Sequence, residues 1–220
     1  EGYLYRAWQI IFSQNDLFLP IFKKYLNGEN TIQLNKTKLI KDDILKIKSL
    51  YALTEQTINI SGTEKIEQFH VFSIQLSSKN IPKNALKIID KAISNNIAIL
   101  YTFEFESNFA YGITIKENAE QRYFFSDWNE ELNFDFTGNT IEHIYQKTIK
   151  LFIHSKTGLV TKNQNFEDVL ANEKQLAVLD KEIISLQKKV RTEKQFNKQV
   201  AFNKVLRSKL QEKENIEKQR

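Results

Sequence analysis

Four carboxylates in the middle of the chain have the residue type and the placement that a metal-dependent active site needs. They stand near the ends of strands predicted to be neighbours: Glu104, Glu106, Asp127 and Glu130. Carboxylates paired in this way bind a divalent cation in many nucleases, where the cation activates the attacking water. Nucleases of the restriction type also need an acid two positions before a lysine, but Thr114 precedes Lys116 at that spacing. The pattern therefore favours solvated strand edges, with a divergent Mg²⁺-dependent nuclease using Glu104, Glu106 or Asp127 as an alternative.

Composition and motifs exclude several other kinds of chemistry. The chain has no cysteine and three histidines, which excludes disulfides, zinc–thiolate sites and a cysteine nucleophile and argues against a histidine-rich metal site. The motifs G-x-G-x-x-G, G-x-x-x-x-G-K-[ST] and G-x-S-x-G are absent, so standard nucleotide-binding loops and the hydrolase elbow are excluded too. We predict no catalytic residue, no cofactor and no metal ligand.

The C-terminal segment, residues 171–220, contains neither glycine nor proline and is predicted to form one long helix. Its first half has apolar residues at spacings of three and four, which is typical of a coiled-coil seam: Leu176, Leu179, Ile183, Leu186 and Val190. At Thr192 the pattern changes, and the next apolar face runs through Phe196, Val200 and Leu210.

Polar amides lie on or beside this second apolar face, at Gln195, Asn197 and Asn203. Amides at a packed seam lose stability unless a partner group forms hydrogen bonds with them, and they then fix the register or the choice of partner. We therefore predict an interaction surface for another protein, or for a second copy of the chain, formed by Glu193, Lys194, Gln195, Phe196, Asn197, Val200 and Asn203.

Positive charge is concentrated in the same segment. Residues 171–220 hold 13 basic and 7 acidic side chains, a net charge of +6, whereas the whole chain carries +5, so the rest carries −1. Basic surfaces suit nucleic-acid phosphates, and six side chains are candidates for direct DNA binding: Lys36, Lys38, Lys188, Lys189, Arg191 and Lys198. We favour a protein partner, because the segment is only mildly basic and no row of aromatic residues interleaves its charges.

The rest of the chain is predicted to mix helices and strands. Residues 1–50 are predicted to be mainly helical, with Asp42 or Asp43 capping the last helix. Period-two alternation then predicts strands: Thr57 to Ser61, Gln68 to Leu76, Ile97 to Glu106, Phe109 to Lys116 and Gln121 to Ser126. One helix is predicted after Pro82, and another where Asn139 and Glu142 resemble a capping box.

These elements predict an α+β fold, in which helices cover one face of an antiparallel-rich sheet of about five strands and a long C-terminal helix with coiled-coil character follows. We predict a body over residues 1–153, a connector over 154–170 and the terminal helix over 171–220. No apolar run reaches the ~20 residues needed to span a bilayer, and no signal-peptide layout is present. We therefore expect a cytoplasmic protein.

A sequence signature in the C-terminal segment resembles that of a bacterial family described as a domain of unknown function, family 4391. The signature is the run Glu193-Lys194-Gln195-Phe196-Asn197, followed by Val200 and Asn203. Upstream segments agree with the resemblance, which covers roughly residues 30–210: Asn35-Lys36, Tyr51 to Ile60 and Ile89 to Ile93. Two places depart from the family, since Ser94-Asn95-Asn96 replaces a usual proline and Glu1 to Leu26 has no matching segment.

The resemblance implies a context rather than a reaction. Proteins of this family tend to be encoded beside DNA methyltransferases and helicases in restriction-like or phage-defence gene clusters, and the resemblance carries over no catalytic residue. We therefore expect a non-catalytic accessory protein that docks a helicase or a DNA methyltransferase of the same gene cluster through its C-terminal helix. A homodimer through that helix, direct DNA binding and a divergent nuclease are the alternatives.

Overall fold

The computed structural model describes residues 42–93, 95–117, 120–158, 160 and 164–218. The predicted helical segment before residue 42 and the basic residues Lys36 and Lys38 lie outside the described residues. The chain divides into two compact units, Glu1–Phe152 and Ile153–Arg220, and each is described by itself.

The first unit contains a five-stranded mixed sheet whose spatial order follows the sequence. Its strands are β1 (Ile44–Leu53), β2 (Gln68–Leu76), β3 (Ile97–Phe105), β4 (Asn108–Glu117) and β5 (Glu120–Phe125). β2 and β3 pair in parallel, because the helix α2 (Lys83–Ala92) connects them as a crossover, and the other three pairings are antiparallel. The predicted α+β fold with a five-stranded, mostly antiparallel sheet is confirmed.

Helices cover both faces of the sheet, so the prediction of helices on one face was wrong. Leu86 and Ile89 of α2 pack in one buried cluster with Tyr101 and other residues of one face. The opposite face carries α3 (Ile141–Thr157), where the ring of Tyr145 meets the ring of Phe69 edge-on, 6.1 Å between centroids. The cause is the composition of the central strands, which are nearly continuous apolar runs and therefore need cover on both sides.

Two predicted elements at the start of this unit have the opposite type in the structure. The helix predicted after Asp42 or Asp43 is the edge strand β1, which pairs with β2. The strand predicted from Thr57 to Ser61 gives way to a single helical turn, α1 (Glu55–Ile58), which the Thr54 and Thr57 side chains close as a capping box. Pairing with a neighbouring strand outweighs local helix preference in β1, and side-chain capping outweighs β-propensity in α1.

The predicted capping box at the start of α3 is not formed. Thr140 caps the helix instead, and its Oγ1 accepts a hydrogen bond from the backbone N–H of His143 at 3.1 Å. The Glu142 carboxylate accepts a hydrogen bond from the Thr63 hydroxyl at 2.6 Å, and so bonds to a distant loop rather than to the cap.

The second unit contains two antiparallel helices, α4 (Phe166–Thr192) and α5 (Phe196–Lys218), so the prediction of one helix over 171–220 was wrong. The helical character of the segment is confirmed, as is burial of Leu176, Leu179 and Ile183 at its seam. The break lies at Glu193, whose backbone is extended with φ −70° and ψ 128°. Any residue adopts this conformation without strain, so a helix ends here without glycine or proline.

Candidate interaction face of the C-terminal hairpin

The α4–α5 hairpin is held together by a narrow apolar seam. Leu176, Leu179 and Ile183 of α4 are buried with Ile216 of α5, and Leu206 packs against them. Ion pairs stand beside this seam at 2.6 Å between Lys213 Nζ and Asp180 and at 3.1 Å between Lys209 Nζ and Glu182. The face of α5 that packs on α4 therefore includes Leu206 and Ile216, and not the predicted Phe196, Val200 and Leu210.

The first three residues of the predicted interaction surface form the turn between the two helices. The backbone N–H of Glu193 bonds to the carbonyl of Lys189 at 2.9 Å, and the Glu193 carboxylate accepts from the backbone N–H of Gln195 at 2.9 Å. The Gln195 carbonyl accepts from the N–H of Gln199 at 3.0 Å. Thus part of the Glu193–Asn197 signature, Glu193, Lys194 and Gln195, has a local structural role as a hairpin turn.

A stripe of α5 that does not pack on α4 begins directly after this turn. Phe196 has 74% of its surface exposed, and Val200 and Leu210 are also exposed. Exposed polar residues occupy the intervening positions of the stripe, Asn203 and Arg207. The spacings of four and three between these five residues place them on one side of the helix. Phe196 and Val200 thus lie on a solvent-exposed side of α5.

An isoleucine of α4 lies on the same side of the hairpin. Asp180 of α4 forms an ion pair with Lys213 of α5 across the seam. Ile184 stands one helical turn after Asp180, and Leu210 stands one helical turn before Lys213. Ile184 and Leu210 therefore flank the same ion pair. Ile184 is 65% exposed. We call this side the open face, and it consists of Ile184, Phe196, Val200, Asn203, Arg207 and Leu210.

The opposite side of the hairpin carries an exposed valine that can be compared with Val200 of the open face. There the ion pair is Lys209–Glu182, and Val205 stands one turn before Lys209 while Val178 stands one turn before Glu182. Val205 is 47% exposed and Val200, on the open face, is 51% exposed. The two valines of one helix are therefore matched in residue type and exposure, but they lie on different sides.

The amides that were predicted to need a partner are exposed. Gln195, Asn197 and Asn203 lie at the surface, and no hydrogen bond involves their side chains within the part of the chain that the structure describes. The amide found at the helix–helix contact is Gln199, whose Nε2 donates to the Val190 carbonyl at 3.0 Å. This carbonyl belongs to the last turn of α4, where the helix itself leaves carbonyls unbonded. Gln199 was missed because it stands next to the predicted signature residues rather than among them.

The basic residues proposed for DNA contact cluster near the turn. Lys188, Lys189, Arg191 and Lys198 are exposed, as is Lys194 in the turn itself. The Lys189 ammonium lies over the Phe202 ring, 5.9 Å from its centroid, and none of the five forms an ion pair within the described ranges. The predicted DNA-contacting residues that the structure describes therefore lie at the end of α4 (Lys188, Lys189 and Arg191) and in the first turn of α5 (Lys198).

Three of the four carboxylates considered for a nuclease are exposed, and Glu104 is bonded to a neighbouring side chain. Glu104, Glu106 and Asp127 are exposed. Glu104 accepts a hydrogen bond from the Ser73 hydroxyl at 3.0 Å. Over residues 42–93, 95–117, 120–158, 160 and 164–218, no group of three or more acidic or histidine side chains is placed to hold a metal ion. No observation on these residues favours the nuclease alternative.

One buried carboxylate was not singled out from the sequence. Asp90 of α2 is fully buried, and its oxygens accept hydrogen bonds from Tyr101 at 2.8 Å, from Thr114 at 3.0 Å and from the hydroxyl of Tyr123. Burial, and then the Asp90 charge, raise the pKa of Tyr101 and Tyr123 well above the usual range. The cluster therefore joins α2 to β3, β4 and β5 through hydroxyl groups that stay protonated. The sequence signal was an acid four residues after Leu86, on the apolar side of its helix.

Comparison with known proteins identifies the family. The family described as "Domain of unknown function (DUF4391)" matches residues 19–213. The chain belongs to this family. No curated protein and no solved structure matches the chain. Among the described residues, no helix has both the length and the apolar character that a bilayer span requires.

Proposed function

We propose that this DUF4391 protein is a non-catalytic accessory protein that binds another protein through the open face of its C-terminal hairpin. The observation that carries the proposal is the exposure of Phe196, in line with Val200 and Leu210 on a side of α5 that the hairpin seam does not use. Large aromatic and aliphatic side chains aligned at a surface are typical of protein-binding sites, where they become the buried centre of the interface.

The proposed partner is a helicase or a DNA methyltransferase of the same gene cluster, within a bacterial DNA-modification or phage-defence system in the cytoplasm. A protein partner fits the open face better than DNA does, because valine, leucine and isoleucine side chains gain nothing from contact with phosphates. They gain free energy when another apolar surface removes them from water.

The two matched valines of α5 allow a direct test. The full-length protein, its Val200→Asp variant and its Val205→Asp variant are titrated against the purified helicase and the purified methyltransferase by calorimetry. We expect Val200→Asp to weaken binding about 100-fold, since a buried unpaired charge at an interface centre costs several kcal/mol. Val205→Asp is expected to leave the dissociation constant within about 3-fold.

Circular dichroism of both variants checks that the hairpin keeps its helical content. Equal losses of affinity in the two variants, with the helices intact, would place the binding surface elsewhere on the chain. Absence of binding of the unmodified protein to both purified proteins would refute the proposed partners.

A further inference from the structure

We propose that the partner presents an acidic amphipathic helix, which lies along the open face and completes a three-helix bundle with α4 and α5. This inference rests on the proposed function and specifies the chemistry of the partner. Its basis is that the open face has the residue spacing, the length and the unpaired charges that one further helix would fit.

The spacing on α5 is that of a second coiled-coil seam. The seam toward α4 includes Leu206 and Ile216, and the Phe202 ring lies against Lys189 of α4. The exposed stripe from Phe196 to Leu210 has residue spacings of its own that alternate between four and three. A helix with one heptad seam has one helical neighbour, and a helix with two such seams has two neighbours in a bundle. The described hairpin supplies α5 with one of these neighbours.

The other helix of the hairpin, α4, has an exposed series with the same spacing. Ile184 belongs to a heptad series of α4 that is offset from its buried seam: Ala177, Asp180, Ile184, Gln187 and Arg191. Two such series on adjacent antiparallel helices form the sides of one groove. Between Phe196 and Leu210 the groove is about 21 Å long at 1.5 Å per residue, so a guest helix of four turns would fill it.

The unpaired charges on this side of the hairpin are basic. Arg191 and Arg207 are exposed and form no ion pair with any residue in the described part of the chain, whereas Asp180 is bonded to Lys213. Charges at the edges of a helical seam select the partner and its orientation. A guest helix with glutamate or aspartate beside its apolar stripe would neutralise both arginines.

Asn203 stands in the middle of the exposed stripe, between Val200 and Arg207. A single asparagine in an apolar seam favours the one register in which a second polar group faces it, because any other register leaves its amide buried without a hydrogen bond. The guest helix is therefore expected to carry a polar residue at the centre of an otherwise apolar stripe.

A charge-reversal pair separates this inference from non-specific attraction. The double variant Arg191→Glu, Arg207→Glu changes Arg207 of the open face and Arg191, which belongs to the heptad series of Ile184. The control variant Lys189→Glu, Lys198→Glu makes the same change of charge on the opposite side, because Lys189 stands seven residues after Glu182 and Lys198 seven residues before Val205. We expect the first pair to weaken binding to the purified helicase or methyltransferase by about 10-fold or more, with a smaller effect in high salt. The second pair is expected to change the affinity by less than about 3-fold.

Cross-linking identifies the segment that occupies the groove. Asn203 is replaced by the photoreactive residue p-benzoylphenylalanine in the full-length protein, and the adduct with the purified partner is mapped by mass spectrometry. The expected adduct lies in a helical segment of the partner with heptad-spaced apolar residues and flanking acids. The same variants are also titrated with a 30-base-pair DNA duplex as a probe for nucleic acid.

Three other results of the titrations and the cross-linking would contradict the proposed acidic helix. If Val200→Asp abolishes partner binding while both charge-reversal pairs bind normally, the proposed function stands and the acidic helix is wrong. An adduct with a non-helical segment, or with a second copy of this chain alone, also overturns it. DNA binding that both charge-reversal pairs weaken equally, without partner binding, would identify a nucleic-acid surface and overturn both proposals.

Discussion

The sheet unit and the C-terminal hairpin differ in how completely they bury their own apolar side chains. Among the described residues seven large apolar side chains are exposed, and Leu45 is the one that belongs to the sheet. The other six are in the hairpin: Val178, Ile184, Phe196, Val200, Val205 and Leu210. The sheet has helices on both faces, whereas the hairpin has a single seam, so apolar side chains outside that seam remain in solvent.

Polar groups show the same difference. In the sheet unit the buried Asp90 carboxylate is bonded to three hydroxyl groups from three strands. In the hairpin, the side chains of Asn197 and Asn203 are exposed and form no hydrogen bond within the described residues. Exposed apolar residues in isolation are ordinary, but their alignment with a coiled-coil spacing is not. The difference supports the proposal that the hairpin, rather than the sheet, carries the surface for a partner.

The largest effect on stability is expected at the polar cluster of the sheet. Asp90→Ala leaves the hydroxyls of Tyr101 and Thr114 buried without their acceptor, and we expect it to lower the free energy of unfolding by about 3 to 5 kcal/mol. Tyr123→Phe removes one donor from a half-buried position and should cost about 1 kcal/mol. Urea unfolding followed by tryptophan fluorescence measures both, since Trp128 and Tyr123 pack against the same buried cluster, which contains Tyr101.

An Asp90→Ala protein with an unchanged urea midpoint would show that the sheet does not depend on this cluster. Asp90→Asn is the matched control, because the amide keeps the shape of the side chain and one acceptor oxygen. It is expected to be destabilised less than Asp90→Ala.

A smaller effect on stability is expected when two adjacent isoleucines of α4 are replaced in turn. The comparison tests whether only one side of the hairpin is packed. Ile183 is 6% exposed and Ile184 is 65% exposed. Ile183→Ala should lower hairpin stability by about 2 kcal/mol through the cavity it leaves, and Ile184→Ala by less than about 0.5 kcal/mol. Far-ultraviolet circular dichroism during urea unfolding reports the helices. Equal effects of the two substitutions would mean that the open face is already packed in the isolated protein.

The central strands β2 and β3 were predictable from the sequence because apolar residues recur at every second position along each strand, and no register shift interrupts their pairing with each other. β2 was predicted with the bounds that the structure has, and β3 to within one residue. β1 was predicted as a helix because its pairing with β2 shifts register between Ile44 and Lys46 and again between Ser49 and Tyr51. Each irregularity turns the following side chains to the other face. The apolar residues of β1 therefore have the spacing of a helix rather than that of a strand.

The candidate face was predictable in part. Phe196, Val200 and Asn203 were predicted as surface residues for a partner, and the structure places them on one exposed stripe, but the prediction had them in the seam of a single helix. Both stripes of α5 have heptad spacing, so spacing alone does not decide which one packs on α4. That choice follows from the turn at Glu193, and an extended residue at the turn leaves no glycine or proline signal in the sequence.

The smallest effect on stability is expected from substitutions in surface ion pairs. The pH range in which such a group stops contributing to stability also differs between the two units. Hydrogen bonds from Lys147 and Thr137 lower the pKa of Asp135 in the sheet unit from 3.8 to about 2, so its contribution is present above pH 3.8 and is lost as the pH falls towards 2. The hydrogen bond to Asp180 raises the pKa of Lys213 in the hairpin from its ordinary value of 10.5, so the contribution of this ammonium is lost as the pH rises beyond 10.5. Asp135→Asn should therefore flatten the decrease in the free energy of unfolding between pH 4 and pH 2, by less than about 1 kcal/mol because the carboxylate is largely exposed. Thermal unfolding at each pH measures this effect. A steeper decrease in the variant would contradict the assignment.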